Sequence, residues 1–142
     1  ASLFVAEFIG SPKMNLLQGT LRSADAQHAS VDVGGQTLTV SVDARHLKAG
    51  ESVQVGIRPE HIPLGTAGEG TGVAAQLQHI ERLGDSSLLY VQIAGQPIAT
   101  VKVEGSAAMA AGSALTLRLL PDQLHLFDSQ GIACHRTVEL PE

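Results

Sequence analysis

Two stretches decide the fold: Val31-Asp32-Val33-Gly34-Gly35-Gln36-Thr37-Leu38 and Val91-Gln92-Ile93-Ala94-Gly95-Gln96-Pro97-Ile98, which align at an offset of 60 residues. In each, apolar residues alternate with polar ones, pass through a glycine turn and alternate again. That is the pattern of two antiparallel strands joined by a tight connection. A second block repeats in step. Gly50, Val53, Val55, Ile57, Pro59, Glu60, Ile62 and Leu64 match Gly112, Leu115, Leu117, Leu119, Pro121, Asp122, Leu124 and Leu126 at an offset of 62. Chemistry is kept at each position, with two residues inserted between the blocks. The chain reads as a tandem repeat of a unit of about five strands.

Around these blocks the two-residue period persists. Leu17, Gly19 and Leu21 alternate with polar neighbours, and the second half repeats the habit over 73–83, 89–93, 98–103, 115–120 and 124–127. Small, glycine-punctuated, five-stranded units suggest OB-like barrels, and each alone has a marginal core for its size. The reading is therefore all-β: two tandem OB-like units that pack together or exchange strands. At the start, Phe4 with Phe8 and Val5 with Ile9 share a helical spacing, and Gly10 and Pro12 end a short N-terminal helix. The domain reading is 1–12 as the end of a linker helix, 13–64 as the first repeat, 65–72 as a glycine-rich linker, 73–128 as the second repeat and 129–142 as a tail. The alanine-rich stretch 107–111 reads as a loop or a single helical turn, because the matching region 43–49 is short and polar.

Composition narrows the function. The chain of 142 residues is 44% apolar but only 16% charged, with one Tyr, three Phe and no Trp, so its core is aliphatic. A net charge of −5 without a basic cluster argues against nucleic acid, which demands concentrated positive charge and stacking aromatics. Cys134 stands alone, so no internal disulfide forms. No apolar run reaches the ~18 residues of a membrane span, and no signal-type leader is present. A cytosolic domain is expected. The chain begins at Ala1 rather than Met and enters structure at once, which reads as a fragment of a longer protein.

Several stretches invite a chemical reading and lack what it needs. Segment 65–72 carries four glycines, but a phosphate-binding loop also needs Lys and Ser or Thr. No lysine lies between Lys48 and Lys102, and Glu69 would repel an anion. The six histidines show no metal-ligand spacing, and the adjacent Cys134-His135 couple alone cannot complete a site. No G-x-S-x-G elbow occurs. Neither a catalytic nor a metal site is expected within these residues. Val55-Gly56-Ile57-Arg58-Pro59-Glu60-His61-Ile62 differs: a strand runs into a rigid turn carrying a cation, an anion and a titratable ring. It reads either as a strand end with a local Arg58–Glu60 pair, worth little if exposed, or as a contact surface for another protein.

Here a resemblance enters. Phe4-Val5-Ala6-Glu7-Phe8-Ile9-Gly10-Ser11-Pro12-Lys13-Met14-Asn15-Leu16 resembles the junction after the nucleotide-binding domain in ATP-binding subunits of carbohydrate ABC importers. Gly56-Ile57-Arg58-Pro59-Glu60-His61 resembles the hallmark of their C-terminal regulatory (TOBE/MOP-type) domain. His125-Leu126-Phe127-Asp128 and Gly131-Ile132-Ala133-Cys134-His135-Arg136 are similar to the ending of maltose/maltodextrin, MalK-like, subunits. The resemblance implies a domain that holds an ATPase dimer together and receives regulatory proteins, such as a phosphotransferase protein or a transcription regulator. It implies permease partners through the parent chain, at the cytoplasmic face of the inner membrane. Phe8, Ser11, Pro12, Lys13, Met14 and Asn15 would lie at the hinge to the ATPase domain. Gly56, Arg58, Glu60 and His61 would lie at the regulatory surface or dimer contact. ATP and Mg would belong to the parent chain, and no cofactor to these residues. The low charge density fits a surface covered by a second copy, with a homodimer burying on the order of 1,200–2,000 Å². The alternative is a tandem OB module capturing molybdate or tungstate, for which Ser11-Pro12-Lys13 is the nearest oxyanion motif.

Overall fold

The computed structural model describes residues 13–65, 72–105 and 109–138. The first half contributes β1 (Asn15–Ala24), β2 (Ala29–Val33), β3 (Gln36–Val40), β4 (Val42–Asp43) and β5 (Ser52–Ile57). The second half contributes β6 (Gly72–Arg82), β7 (Ser86–Gln92), β8 (Ala99–Glu104), β9 (Ala114–Arg118), β10 (His125–Phe127) and β11 (His135–Arg136). Single 3-10 turns, Pro59–His61 and Pro121–Gln123, follow β5 and β9. The fold is all-β, with two OB-like units. The expected helix over 3–9 and most of the 65–72 segment lie outside the described residues. Of the 107–111 stretch, 109–111 are irregular and lead into the turn at Gly112.

Period-two alternation fixes which side chains meet. Leu17 faces Val55, Leu21 faces Val31 and Ala29 faces Val40. The second half repeats the scheme with Val73 on Leu117, Leu77 on Val91 and Leu89 on Val101. All twelve are buried in one apolar cluster that spans both halves. A β-bulge falls at the same place in each long strand, between Leu21 and Ser23 and between Leu77 and His79. The loop beyond it is clamped identically. Gly50 N donates to Leu21 O at 2.7 Å, and Gly112 N donates to Leu77 O at 2.7 Å.

The two hairpins differ by one residue. Gly34 and Gly35, with φ of 57° and 82°, make a two-residue turn that sets Val33 opposite Gln36. Both sit in the left-handed region where a side chain is strained. In the second hairpin Val91 pairs with Ala99, whereas in the first Val31 pairs with Leu38. The extra residue falls at Pro97, which has no N–H for a ladder. Ala99, not Ile98, therefore occupies the place of Leu38. Ala99 is 3% exposed and Ile98 50%.

The halves close each other. After the first 3-10 turn the chain crosses to β9: Leu64 pairs with Leu117, Gly65 N donates to Thr116 O and Arg118 N donates to Pro63 O, both at 2.8 Å. After the second turn β10 crosses back to β5, pairing Leu126 with Val55. Leu64 and Leu126 are repeat equivalents, as are Val55 and Leu117, so the exchange is reciprocal. The resulting sheets run β10-β5-β1-β2-β3 and β8-β7-β6-β9, with a β11–β4 ribbon at the side.

Leu126 sits in a strand of three residues yet is fully buried against the partner half. Leu126→Ala is expected to cost about 2–5 kcal/mol, the range for emptying a buried leucine site. Urea unfolding followed by circular dichroism checks this. A loss below about 1 kcal/mol would mean that β10 is an ornament of the first sheet.

Candidate functional site

The motif at the end of β5 is built around a missing side chain. A Cβ on Gly56 would lie 2.6 Å from Met14 Sδ and 2.8 Å from Phe127 Cε2. Glycine thus lets the start of β1 and the end of β10 meet over β5. Gly56 is buried within the sheet and is not itself at the surface. Arg58 is extended (φ −75°, ψ 143°), as a residue before proline prefers, and buried Pro59 opens the turn. Glu60 is exposed. His61 is half-buried, and its Nδ1 has no hydrogen-bond partner among the described residues.

The second repeat adds groups to this corner that spacing along the sequence does not reveal. His125 pairs with Gly56 across the β10–β5 ladder and stacks on Phe127, with ring centroids 6.5 Å apart. Arg136 reaches over from β11. Its Nη1 donates to Leu124 O at 2.8 Å and lies 3.2 Å from His125 Nδ1, while Nη2 donates to Asp122 O at 2.6 Å. Burial pushes the His125 pKa down to about 4, and the positive fields of Arg136, Arg58 and His61 act in the same direction. The Asp122 carboxylate is instead engaged by the Ser41 hydroxyl at 2.6 Å.

The expected hinge residues divide. Phe8, Ser11 and Pro12 lie outside the described residues. Lys13 is exposed and Met14 covers Gly56. Asn15 is buried and ties the halves together. Its Nδ2 donates to Thr100 O and its Oδ1 accepts from Thr100 N, both at 2.8 Å. Gln96 repeats this device on β1: its Oε1 accepts from Gln18 N at 2.7 Å and its Nε2 donates to Gln18 O at 2.9 Å. Gln36, its repeat equivalent, donates to Gly72 O. Such side chains satisfy backbone groups that would otherwise be left unpaired at the seam. Beside the seam lies a cleft of about 560 Å³ lined by Lys13, Asn15, Gln54, Tyr90, Ile98 and Thr100, among others.

A tandem pair of OB-like units with mutually closed sheets is the class that the geometry defines. Residues 10–62 match the family described as the MalK OB fold domain, and residues 55–127 match that of the TOBE domain. The chain belongs to the TOBE domain family. It is 42% identical over 130 residues to the sn-glycerol-3-phosphate import ATP-binding protein UgpC of Escherichia coli (strain K12), and equally to that of Shigella sonnei (strain Ss046). These alignments cover 92% of this chain and 35% of each relative, so the chain spans about a third of their length. Among solved structures, the cytoplasmic molybdate-binding protein ModG with molybdate bound is similar in fold. Its TM-score is 0.67 at 19% identity, covering 88% of this chain and 99% of that one.

The low His125 pKa carries a stability consequence. Its folded value, about 4, lies below the ordinary 6.5, so between those values the unfolded chain binds more protons. Stability is then full above pH 6.5 and declines as pH falls toward 4. His125→Gln is expected to flatten this slope, measured by urea unfolding across that pH range. An unchanged slope would place the titrating group elsewhere.

Proposed function

We propose that this domain is the dimerisation and regulatory module of the ATP-binding subunit of an ABC importer for sugars or sugar-like phosphates. The observation that carries the reading is the 42% identity to importer ATP-binding proteins across 92% of the chain. The mechanism is mechanical. A doubly closed β body keeps two subunits associated while ATP-binding domains, supplied with Mg by the rest of the parent chain, separate and rejoin. A protein partner biases that cycle by binding one arrangement better than the other. Lys13, Met14 and Asn15, with Phe8, Ser11 and Pro12 before them, form the hinge to the ATPase domain. Arg58, Glu60 and His61, set by Gly56, form the regulatory or dimer surface. The parent would sit on the cytoplasmic face of the inner membrane through its permease partners. Glycerol phosphate is the cargo named for the relatives and maltose the one suggested by the C-terminal motif; the cargo itself is chosen by other subunits.

A chimera tests this directly: the matched segment of the Escherichia coli UgpC protein is replaced by this chain. The chimeric subunit is expected to sediment as a dimer and to support glycerol-phosphate uptake. A monomeric chimera that retains ATP binding but not transport would contradict the clamp.

A second reading, oxyanion capture, is favoured by the cleft where Lys13, Asn15 and Thr100 converge between the halves. Both polar atoms of the Asn15 amide are already used on Thr100, which weakens it. Calorimetric titration with molybdate separates the two readings. No heat is expected, and micromolar binding lost in Lys13→Gln would reverse the order.

A further inference from the structure

A small apolar cluster lies outside the shared core. Gly56 and Phe127 alternate with the core residues Val55 and Leu126, so they share the opposite face of the first sheet. Phe127 is 4% exposed and yet does not join the aliphatic core. Gly56 leaves the space that Phe127 and Met14 fill. A Cβ there would lie 2.6 Å from Met14 Sδ and 2.8 Å from Phe127 Cε2. The sulfur and the ring edge therefore close on one point, a thioether–aromatic contact of the kind that stabilises such clusters. His125 stacks on Phe127 in turn.

Met14 is also part of the wall of the 560 Å³ cleft, together with Asn15 and Thr100. It is half-buried, so a small solute in the cleft reaches its side chain. Asn15 follows it directly and commits its amide to Thr100: Nδ2 donates to Thr100 O, and Oδ1 accepts from Thr100 N, both at 2.8 Å. A displacement of Met14 therefore acts on a clamp between the halves one peptide unit away. The other clamp, Gln96 on Gln18, sits farther along β1. The chain has two methionines, and Met109 packs against the core from the second half. Cys134 is no competing target, because burial pushes its thiol up to about 11 and leaves it unreactive.

We propose that Met14 is a site of reversible oxidation by hydrogen peroxide, and that its sulfoxide slackens the Asn15–Thr100 clamp between the halves. In this step the sulfur gives up two electrons and gains an S–O bond. The O–O bond breaks, and the second oxygen takes the proton of the first and leaves as water. A dithiol reverses the change: it becomes a disulfide, and the sulfoxide oxygen departs as water. The sulfoxide is polar where the thioether was apolar. Neither the Phe127 ring nor Gly56 has a side-chain donor for the new oxygen, so holding it in the cluster costs hydration. The side chain turns out into the cleft, and the start of β1 loses its hold on β10. The inference rests on these contacts and not on the importer reading.

The test uses the 142-residue chain carrying Met109→Leu, which leaves Met14 as its one methionine. Dilute hydrogen peroxide is expected to add one oxygen atom at Met14, located by peptide mass spectrometry. Amide exchange read by NMR is then expected to speed up about tenfold at Thr100, whose N–H is held by Asn15. The Gln18 amide, held by Gln96, is expected to change much less. Methionine sulfoxide reductase with a dithiol is expected to restore the Thr100 rate. Adding Met14→Leu keeps an apolar side chain of similar volume, and its Thr100 amide is expected to ignore peroxide. A Met14 that stays reduced at peroxide levels that oxidise an unstructured methionine peptide would overturn the proposal. So would a sulfoxide that leaves Thr100 unchanged, or one that speeds Thr100 and Gln18 equally. These outcomes stand even if the double variant does not fold; if it folds and still responds to peroxide at Thr100, the proposal is equally wrong.

Discussion

Everything in this domain depends on a reciprocal loan of backbone. Each repeat gives the segment after its 3-10 turn to the last long strand of the other: Leu64 to Leu117, and Leu126 to Val55. An isolated half would expose the edge of β5 or β9 and leave a row of amides and carbonyls without partners. It would also divide an aliphatic core that contains no buried tryptophan or tyrosine to enlarge it. Exchange removes both defects together, which is how two units of marginal size make one stable body. Asn15 and Gln96 reinforce the seam by binding main chain of the opposite half.

The same exchange creates the corner around Gly56. β10 belongs to the second repeat in sequence but to the first sheet in space, and it carries His125 and Phe127 onto the motif at Gly56. Arg136 then follows from β11, whose strand pairs with β4 of the first half. The charged groups are therefore held by ladders from both halves rather than by a loose loop.

Much of the fold was legible in the sequence because it rests on period and punctuation. The alternation of Val31, Val33, Leu38 and Val40 around Gly34-Gly35 specifies a hairpin by itself, and the offset repeat specifies a second. The one-residue slip at Pro97 was not legible, because Ile98 matches Leu38 in chemistry while Ala99 matches it in register. The Arg58 turn was visible as a cluster of unlike chemistry after a strand. Its completion by His125 and Arg136 was hidden, since strand pairing across repeats sets that contact and no local pattern encodes it. Asn15 shows the same limit: its neighbours suggest a hinge, and its amide is spent on Thr100, 85 residues away.

Native-state hydrogen exchange, resolved residue by residue, tests the shared closure most directly. The amides of Val55 and Leu117, on the strands where each half is closed by the other, should open with one common free energy, equal to that of global unfolding. The Arg118 amide, which donates across the seam to Pro63, should share it. If the amides of β6 through β9 instead opened as a block at lower free energy while β1, β2 and β5 stayed protected, the halves would be independent neighbours and the account would be wrong.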